Sequence, residues 1–249
     1  MQIGTYEVIE RVGEGATGVV YRAEGDVAVK VLRNTDPVVA KRFAREARLA
    51  AAIESRHLVR ILDVGDGFFV MPYFPRGSLA EALPLAVPAL LQVAAEIAQA
   101  LDALHAAGIV HRDVKPSNVL LGDDGAVLAD FGLARGVDST QLTRDGQLLG
   151  TAHYLAPELI EGAVATPASD IYALACLLYE VGTGAPPFAG RHEAEIGYAH
   201  LVEEPPRPDL PGDLAEAIVL GLAKDPRERP TSATALHRML RAASKPSPD

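Results

Sequence analysis

The sequence predicts an α+β fold of two lobes, a small antiparallel β-sheet lobe with one helix followed by a larger, mostly helical lobe. Three observations predict it. The first third of the chain is a series of β-branched runs divided by glycine-containing turns. From residue 78 onward the texture changes to long stretches with apolar residues at helical spacing. The chain's 249 residues, 49% hydrophobic and 22% charged, suffice for a substantial core and place it among ordinary globular proteins.

Residues 6–12, 19–22 and 27–32 are β-branched runs, and Glu24-Gly25-Asp26 is short enough to make the last two a tight hairpin. Asp36-Pro37 supplies an N-cap and a first-turn proline for a helix to about residue 53. Two further strands are expected at 59–64 and 68–71, around Gly65-Asp66-Gly67. The lobe boundary falls at residues 72–77, so that 1–71 form the first lobe and 78–244 the second. In the second lobe Pro88 opens a long helix that Gly108 ends, and residues 168–182 form a nearly all-apolar helix that should be buried on most sides. Further helices are expected near 190–203, 213–223 and 232–242, and residues 245–249 read as a disordered tail or the start of a linker.

Composition excludes more than it assigns. Acidic residues outnumber basic ones, 33 to 23, for a formal charge of −10, which argues against a dedicated nucleic-acid binder. Aromatics are few and Trp is absent, so the core should be aliphatic. The one cysteine, Cys176, lies in an apolar run and reads as a small core residue, so no intramolecular disulfide and no oxidising compartment are needed. Neither a signal peptide nor an uninterrupted apolar run of membrane-spanning length (about 18–20 residues) is visible. The domain is expected to be soluble and cytoplasmic.

Four motifs carry chemistry. Gly13-Glu14-Gly15-Ala16-Thr17-Gly18-Val19-Val20 fits G-x-G-x-x-G-x-V, in which glycines let backbone N–H groups approach phosphates. A dinucleotide fingerprint would continue as a helix; here a β-branched strand follows, which favours a hairpin over a nucleotide. Val27-Ala28-Val29-Lys30 puts a lysine at the end of an apolar strand, commonly the place of a snorkelling surface residue. A functional Lys30 needs a carboxylate from the following helix, and Glu46 offers it near the buried face, with Glu54 a competitor at the helix end. His111-Arg112-Asp113-Val114-Lys115-Pro116-Ser117-Asn118 is a polar loop after the long helix, and Asp130-Phe131-Gly132 follows a short apolar strand. Two carboxylates and an amide on adjacent loops suit Mg²⁺ bound to phosphate oxygens, because hard cations take oxygen ligands.

Order, spacing and flanking strands together resemble the eukaryotic-type protein kinases, and most of all their bacterial Ser/Thr members. The likeness runs from Tyr6 to about Leu240 and continues in Gly150-Thr151-Ala152-His153-Tyr154-Leu155-Ala156-Pro157-Glu158, in Ser169-Asp170-Ile171-Tyr172 and in Asp225-Pro226-Arg227-Glu228-Arg229-Pro230.

The resemblance implies a two-lobed protein kinase fold, a hinge at 72–77, and transfer of the ATP γ-phosphate to protein serine and threonine hydroxyls. It implies that Lys30 holds the α- and β-phosphates and pairs with Glu46, that Asp113 accepts the substrate proton, and that Lys115 neutralises the transferring phosphoryl group. Asn118 and Asp130 would hold Mg²⁺, with Mn²⁺ as a substitute. Gly13, Glu14, Gly15 and Gly18 would cover the phosphates. Adenine would lie between Val20 and Ala28 above and Leu120 below, its edge on the backbone of Pro72 and Phe74 behind Met71. Glu158 would pair with Arg229, Asp170 would brace the catalytic loop, and Thr151 would serve the substrate pocket.

Departures from the pattern are Pro72 for glutamate, Ala175 for glycine and Ser55-Arg56-His57-Leu58 for a His-Pro turn. No phosphoryl-transfer residue is missing, which disfavours a pseudokinase. The Ala156-Pro157-Glu158 segment disfavours a small-molecule phosphotransferase. Regulation is expected in the polar stretch 136–147, by phosphorylation of Thr143, eight residues before Thr151, or of Thr140, with Arg112 as the cation to meet the phosphate. Partners are then ATP and a protein substrate, with a transient homodimer for trans-autophosphorylation. Because many relatives continue into a membrane span, the chain could also be the cytosolic domain of a longer anchored protein.

Overall fold

A computed structural model describes residues 1–15, 18–33, 36–130, 152–190 and 192–244, and of residues 37, 38, 42, 46, 50 and 193 only the backbone. The chain opens with a six-stranded sheet in the order β1-β2-β3-β4-β6-β5, every neighbouring pair antiparallel. Its strands are β1 (Gln2–Ile3), β2 (Tyr6–Glu14), β3 (Gly18–Ala23), β4 (Val27–Leu32), β5 (Asp63–Gly65) and β6 (Phe68–Pro72). One helix, α1 (Pro37–Ala51), interrupts them. Strand alternation divides the side chains between two faces. Ala23, Val29 and Val70 form a small cluster on one face, while Ala28, Leu32, Phe69 and Met71 join the main core on the other. Phe43 of α1 stacks on Phe69 of β6, with ring centres 5.4 Å apart, and so docks the helix against that second face.

The second part is helical: α2 (Val87–Ala106), α3 (Pro157–Ile160), α4 (Pro167–Thr183), α5 (Glu193–Val202), α6 (Gly212–Gly221) and α7 (Ala233–Ala243). A separate hairpin, β7 (Val119–Gly122) and β8 (Gly125–Leu128), lies between α2 and α3 in the chain. The α+β fold with a sheet lobe and a helical lobe is therefore as the sequence predicts. The apolar helix α4 is the centre of the second lobe, buried from Ser169 through Tyr179 on all sides. It starts in a capping box between Thr166 and Ser169 and ends at Gly184 in the left-handed region. Helix α2 is long and apolar enough to cross a membrane by length and composition, but Leu90, Ile97, Leu101 and Leu104 are fully buried in the protein's own core.

Two expectations need correction. The strand expected at 59–64 is shortened to β5, because Leu58 bridges Leu128 of β8 and Val59 N–H donates to the Leu128 carbonyl at 2.9 Å. That apolar stretch serves the hairpin below before it rejoins the sheet. The strand β1 was not expected; two residues carry no readable alternation, and pairing with β2 alone orders them.

Cys176 is buried, and burial pushes its thiol well above the usual range, as a core residue requires. Ala175, where the family pattern has glycine, faces Gly221 of α6: a Cβ at 221 would stand 2.7 Å from the Ala175 Cβ. The Ala175 methyl group thus occupies space that a side chain at 221 would need.

Candidate active site

The cleft begins with sheet register. Val20 faces Lys30, Ala28 faces Met71 and Lys30 faces Phe69 across β3-β4-β6, so period-2 alternation puts Val20, Ala28, Lys30 and Met71 on one face. Leu120 belongs to β7 of the separate hairpin, Pro72 is the last residue of β6, and Phe74 follows just after that strand. Tyr73 N–H is used by the Asp26 carbonyl at 2.9 Å, whereas Phe74 N–H has no partner among the described residues. An adenine edge could accept from that donor.

The glycine-rich turn shows why its glycines differ. A Cβ on Gly18 would sit 2.1 Å from the Val31 carbonyl oxygen, so the protein's own backbone demands glycine there. A Cβ on Gly15 would meet nothing within 4 Å, and on Gly13 only Val20 at ordinary contact distance. Among the described residues, packing does not require glycine at either position. Glu14 is exposed and pairs with Arg11 and Arg33.

Lys30 is 6% exposed, and its ammonium lies 2.6 Å from Asp130 Oδ1. Glu46 belongs to α1, but its side chain lies outside the described residues, as do Phe131, Gly132, Thr140, Thr143 and Thr151. Asp113 Oδ2 accepts from Asn118 Nδ2 at 2.9 Å and lies 3.0 Å from Lys115 Nζ. Asn118 Nδ2 also donates to the Asp113 carbonyl at 2.7 Å. Two acceptors hold the amide nitrogen, which leaves the amide oxygen for a cation. That oxygen and the Asp130 carboxylate are the hard donors here that could take Mg²⁺ shared with phosphates; among the described residues no trio of His, Cys, Asp or Glu could hold a metal alone.

The loop before Asp113 is strained and braced. Arg112 has φ 67° and Asp130 φ 58°, both in the left-handed region that side chains disfavour. Asp170 of α4 holds the first: its Oδ1 accepts Arg112 N–H and its Oδ2 accepts His111 N–H, both at 2.8 Å. His105 at the end of α2 places Nε2 2.8 Å from the same Oδ2, a partner the sequence did not announce. His111 is fully buried; its Nδ1 accepts Asp113 N–H at 3.2 Å and its Nε2 donates to the Ala129 carbonyl at 3.0 Å. Burial holds its pKa below the usual histidine range, consistent with that neutral tautomer.

Residues 6–240 match the family described as protein kinase domain. The chain belongs to that family. Serine/threonine-protein kinase PknE of Mycobacterium tuberculosis (strain ATCC 25618 / H37Rv) is 41% identical over 250 residues, covering 92% of this chain and 44% of that protein. Serine/threonine-protein kinase PknH of Mycobacterium bovis (strain ATCC BAA-935 / AF2122/97) is 39% identical over 252 residues, 92% of this chain and 42% of that protein. The chain thus spans less than half the length of these relatives. The crystal structure of the Mycobacterium tuberculosis PknI kinase domain, solved as a cysteine-to-alanine mutant, superposes with a TM-score of 0.72 at 27% identity and 98% coverage of both chains.

The kinase fold is closed at its base by the expected Glu158–Arg229 pair. Arg229 Nη1 and Nη2 donate to the two Glu158 oxygens at 2.8 Å each, and Ser169 Oγ donates to Oε1 at 2.7 Å. The guanidinium also donates to the carbonyls of Ala168, Ala223 and Lys224 and lies over the Tyr172 ring. Burial pushes the Glu158 carboxyl up, but the Arg229 and Ser169 hydrogen bonds outweigh it and hold the carboxyl below its ordinary range.

Proposed function

We propose that this chain transfers the γ-phosphate of ATP to serine and threonine hydroxyls of proteins, including its own activation segment. The observation that carries the reading is the Asp113 carboxylate held between Lys115 and Asn118, on a loop next to the one that sets Asp130 against Lys30. Asp113 orients the substrate hydroxyl and accepts its proton. Lys115 puts positive charge beside the same carboxylate, where the transferring group gathers negative charge. Asn118 and Asp130 hold Mg²⁺, for which Mn²⁺ can substitute; once bound, the metal neutralises phosphate charge. Val20, Ala28, Met71 and Leu120 enclose adenine, Pro72 and Phe74 meet its edge, and Gly13, Glu14, Gly15 and Gly18 cover the phosphates.

In this reading residues 1–71 and 78–244 are the two lobes and 72–77 the hinge between them, and the domain works in the cytoplasm, where ATP is supplied. Lys30 serves the phosphates as one unit with Glu46 when α1 swings in. Mutating each alone and then both gives strongly non-additive losses of activity, and additive losses would remove Glu46 from the site. Thr143, or secondarily Thr140, accepts a regulatory phosphate in a transient homodimer, and Arg112 meets it. Equal activity of phosphatase-treated protein, autophosphorylated protein, Thr143→Ala and Thr140→Ala on an exogenous substrate would remove that part of the reading.

The deciding experiment is mass spectrometry of the purified chain and a mixed protein substrate after incubation with Mg²⁺ and ATP. Phosphate on serine and threonine is expected with the wild-type chain and not with Asp113→Asn. A wild-type chain that phosphorylates neither itself nor the substrate overturns the assignment.

A further inference from the structure

A two-stranded hairpin leaves the outer edge of each strand without partners, which makes it a poor platform. The β7–β8 hairpin nevertheless leads directly to Asp130, two residues beyond the end of β8. Its outer edge is not bare. Ala126 N–H donates to Glu96 Oε2 at 2.7 Å, and the Ala126 carbonyl accepts from His57 Nδ1 at 2.9 Å. Leu128 N–H donates to the His57 carbonyl at 2.8 Å, and the Leu128 carbonyl accepts Val59 N–H at 2.9 Å. Ala129 N–H donates to the Asn118 carbonyl at 2.8 Å, and its own carbonyl accepts from His111 Nε2 at 3.0 Å. The next residue is Asp130, in its disfavoured left-handed conformation. Such a backbone persists only where its surroundings over-determine it.

The two side chains on Ala126 are unusual in their setting. Glu96 is 8% exposed on the core helix α2, where an apolar residue would cost nothing to bury. Its Oε1 accepts from Gln92 Nε2 at 3.1 Å, and no cation pairs with it among the described residues. A buried carboxylate without a cation is expensive, so its hydrogen bond to the strand has to offset that cost. His57 is 3% exposed in the turn after α1, and its Nδ1 must carry the proton because a carbonyl can only accept. One grip therefore comes from the segment that follows α1 and the other from α2.

We propose that His57 and Glu96 are positioning residues for Asp130. They hold β8 by both polar groups of Ala126, so that the carboxylate at the strand's end is presented to the metal in one place, and His57 ties that place to the end of α1. The proposal rests on the assignment of Asp130 as a metal ligand.

The test is electron paramagnetic resonance titration of Mn²⁺ into the full chain with a non-hydrolysable ATP analogue, alongside thermal melting and amide hydrogen exchange. His57→Phe and Glu96→Leu remove the grips; His57→Asn and Glu96→Gln keep a donor and an acceptor in nearly the same places. The first pair is expected to weaken Mn²⁺ binding about five- to tenfold and to speed exchange at Leu128 and Ala129, and the second pair to return to within about twofold of wild type. A residue of merely structural importance would lower the melting temperature and leave Mn²⁺ affinity alone. Folded His57→Phe and Glu96→Leu chains with wild-type Mn²⁺ affinity overturn the proposal, as do Asn and Gln variants no better than Phe and Leu. Should the first pair fail to fold, exchange in the wild-type chain decides. Amides of Ala126, Leu128 and Ala129 that exchange as fast as those of the turn residues Asp123 and Asp124 overturn it. A wild-type chain that binds no Mn²⁺ with the analogue, or Asp130→Asn that binds it normally, instead overturns the metal assignment on which the proposal stands.

Discussion

Two ion pairs join distant parts of this chain, and they are built in opposite ways. Arg229 and Glu158 meet through two parallel hydrogen bonds, and the remaining guanidinium donors go to three backbone carbonyls. Nothing is left over. Lys30 and Asp130 meet through one contact, Asp130 remains 29% exposed, and Lys30 Nζ has no second partner among the described residues. A saturated pair is spent on the fold, because every donor and acceptor that burial would penalise is already matched. An unsaturated pair at a cleft keeps donors and acceptors for a ligand, and part of the stability it could contribute is left unused.

The comparison predicts where function and stability separate. The largest effect belongs to the cleft: Asp113→Asn lowers phosphoryl transfer by about 10²- to 10⁴-fold in single-turnover assays, with nucleotide affinity and the unfolding curve unchanged. Asp130→Asn should lose metal–nucleotide binding as well. Asp113→Asn with near wild-type turnover would mean that the carboxylate is not the base.

Next in size is the direct contrast between the pairs. Arg229→Ala leaves the half-buried Glu158 carboxylate without its cation and costs roughly 3–5 kcal/mol in denaturant unfolding. Lys30→Ala removes one charged contact to a partly exposed partner and costs less than about 2 kcal/mol. Equal losses would erase the distinction between saturated and unsaturated pairs.

Smaller again is Gly221→Ala, which sharpens the picture of a committed helical lobe. The added methyl would have to displace Ala175 of α4, at a cost of about 1–3 kcal/mol, and Ala175→Gly in the same chain should restore most of it. A Gly221→Ala chain of unchanged stability would show that α4 and α6 yield easily.

The smallest effect is in pH. The Glu158 carboxyl is held below its ordinary value of 4.5, so its contribution is fully present above that value and is lost as pH falls through the lower, folded-state value. In acid the wild-type chain should therefore lose part of its stability advantage over Glu158→Gln. An advantage that stays constant below pH 4.5 would mean that the pair does not hold the proton off.

Much of the fold was legible because its signals are local. The run at 27–32 matches β4 residue for residue, and Pro37, Pro88 and Gly108 mark helix ends by backbone geometry alone. The stretch 59–64 misled, since its β-branched residues describe a pairing surface without saying which strand will use it. His105, His57 and Glu96 gave no signal as isolated residues. Each serves a group far away in the chain, and only a hydrogen-bond partner makes a buried polar residue meaningful.

By itself the sequence determined most of the order of strands and helices, the motifs whose charged and amide groups we propose for phosphoryl transfer, and the family to which they belong. These follow from periodicity, turn chemistry and motifs whose members lie within a few residues of one another. Tertiary structure alone decided which groups meet: that Lys30 lies against Asp130, that Gly221 makes room for Ala175, and that Asp170 receives both backbone N–H groups of the strained loop and the ring of His105. Those contacts join segments tens of residues apart, where burial, register and hydrogen-bond satisfaction over the whole core choose the partner.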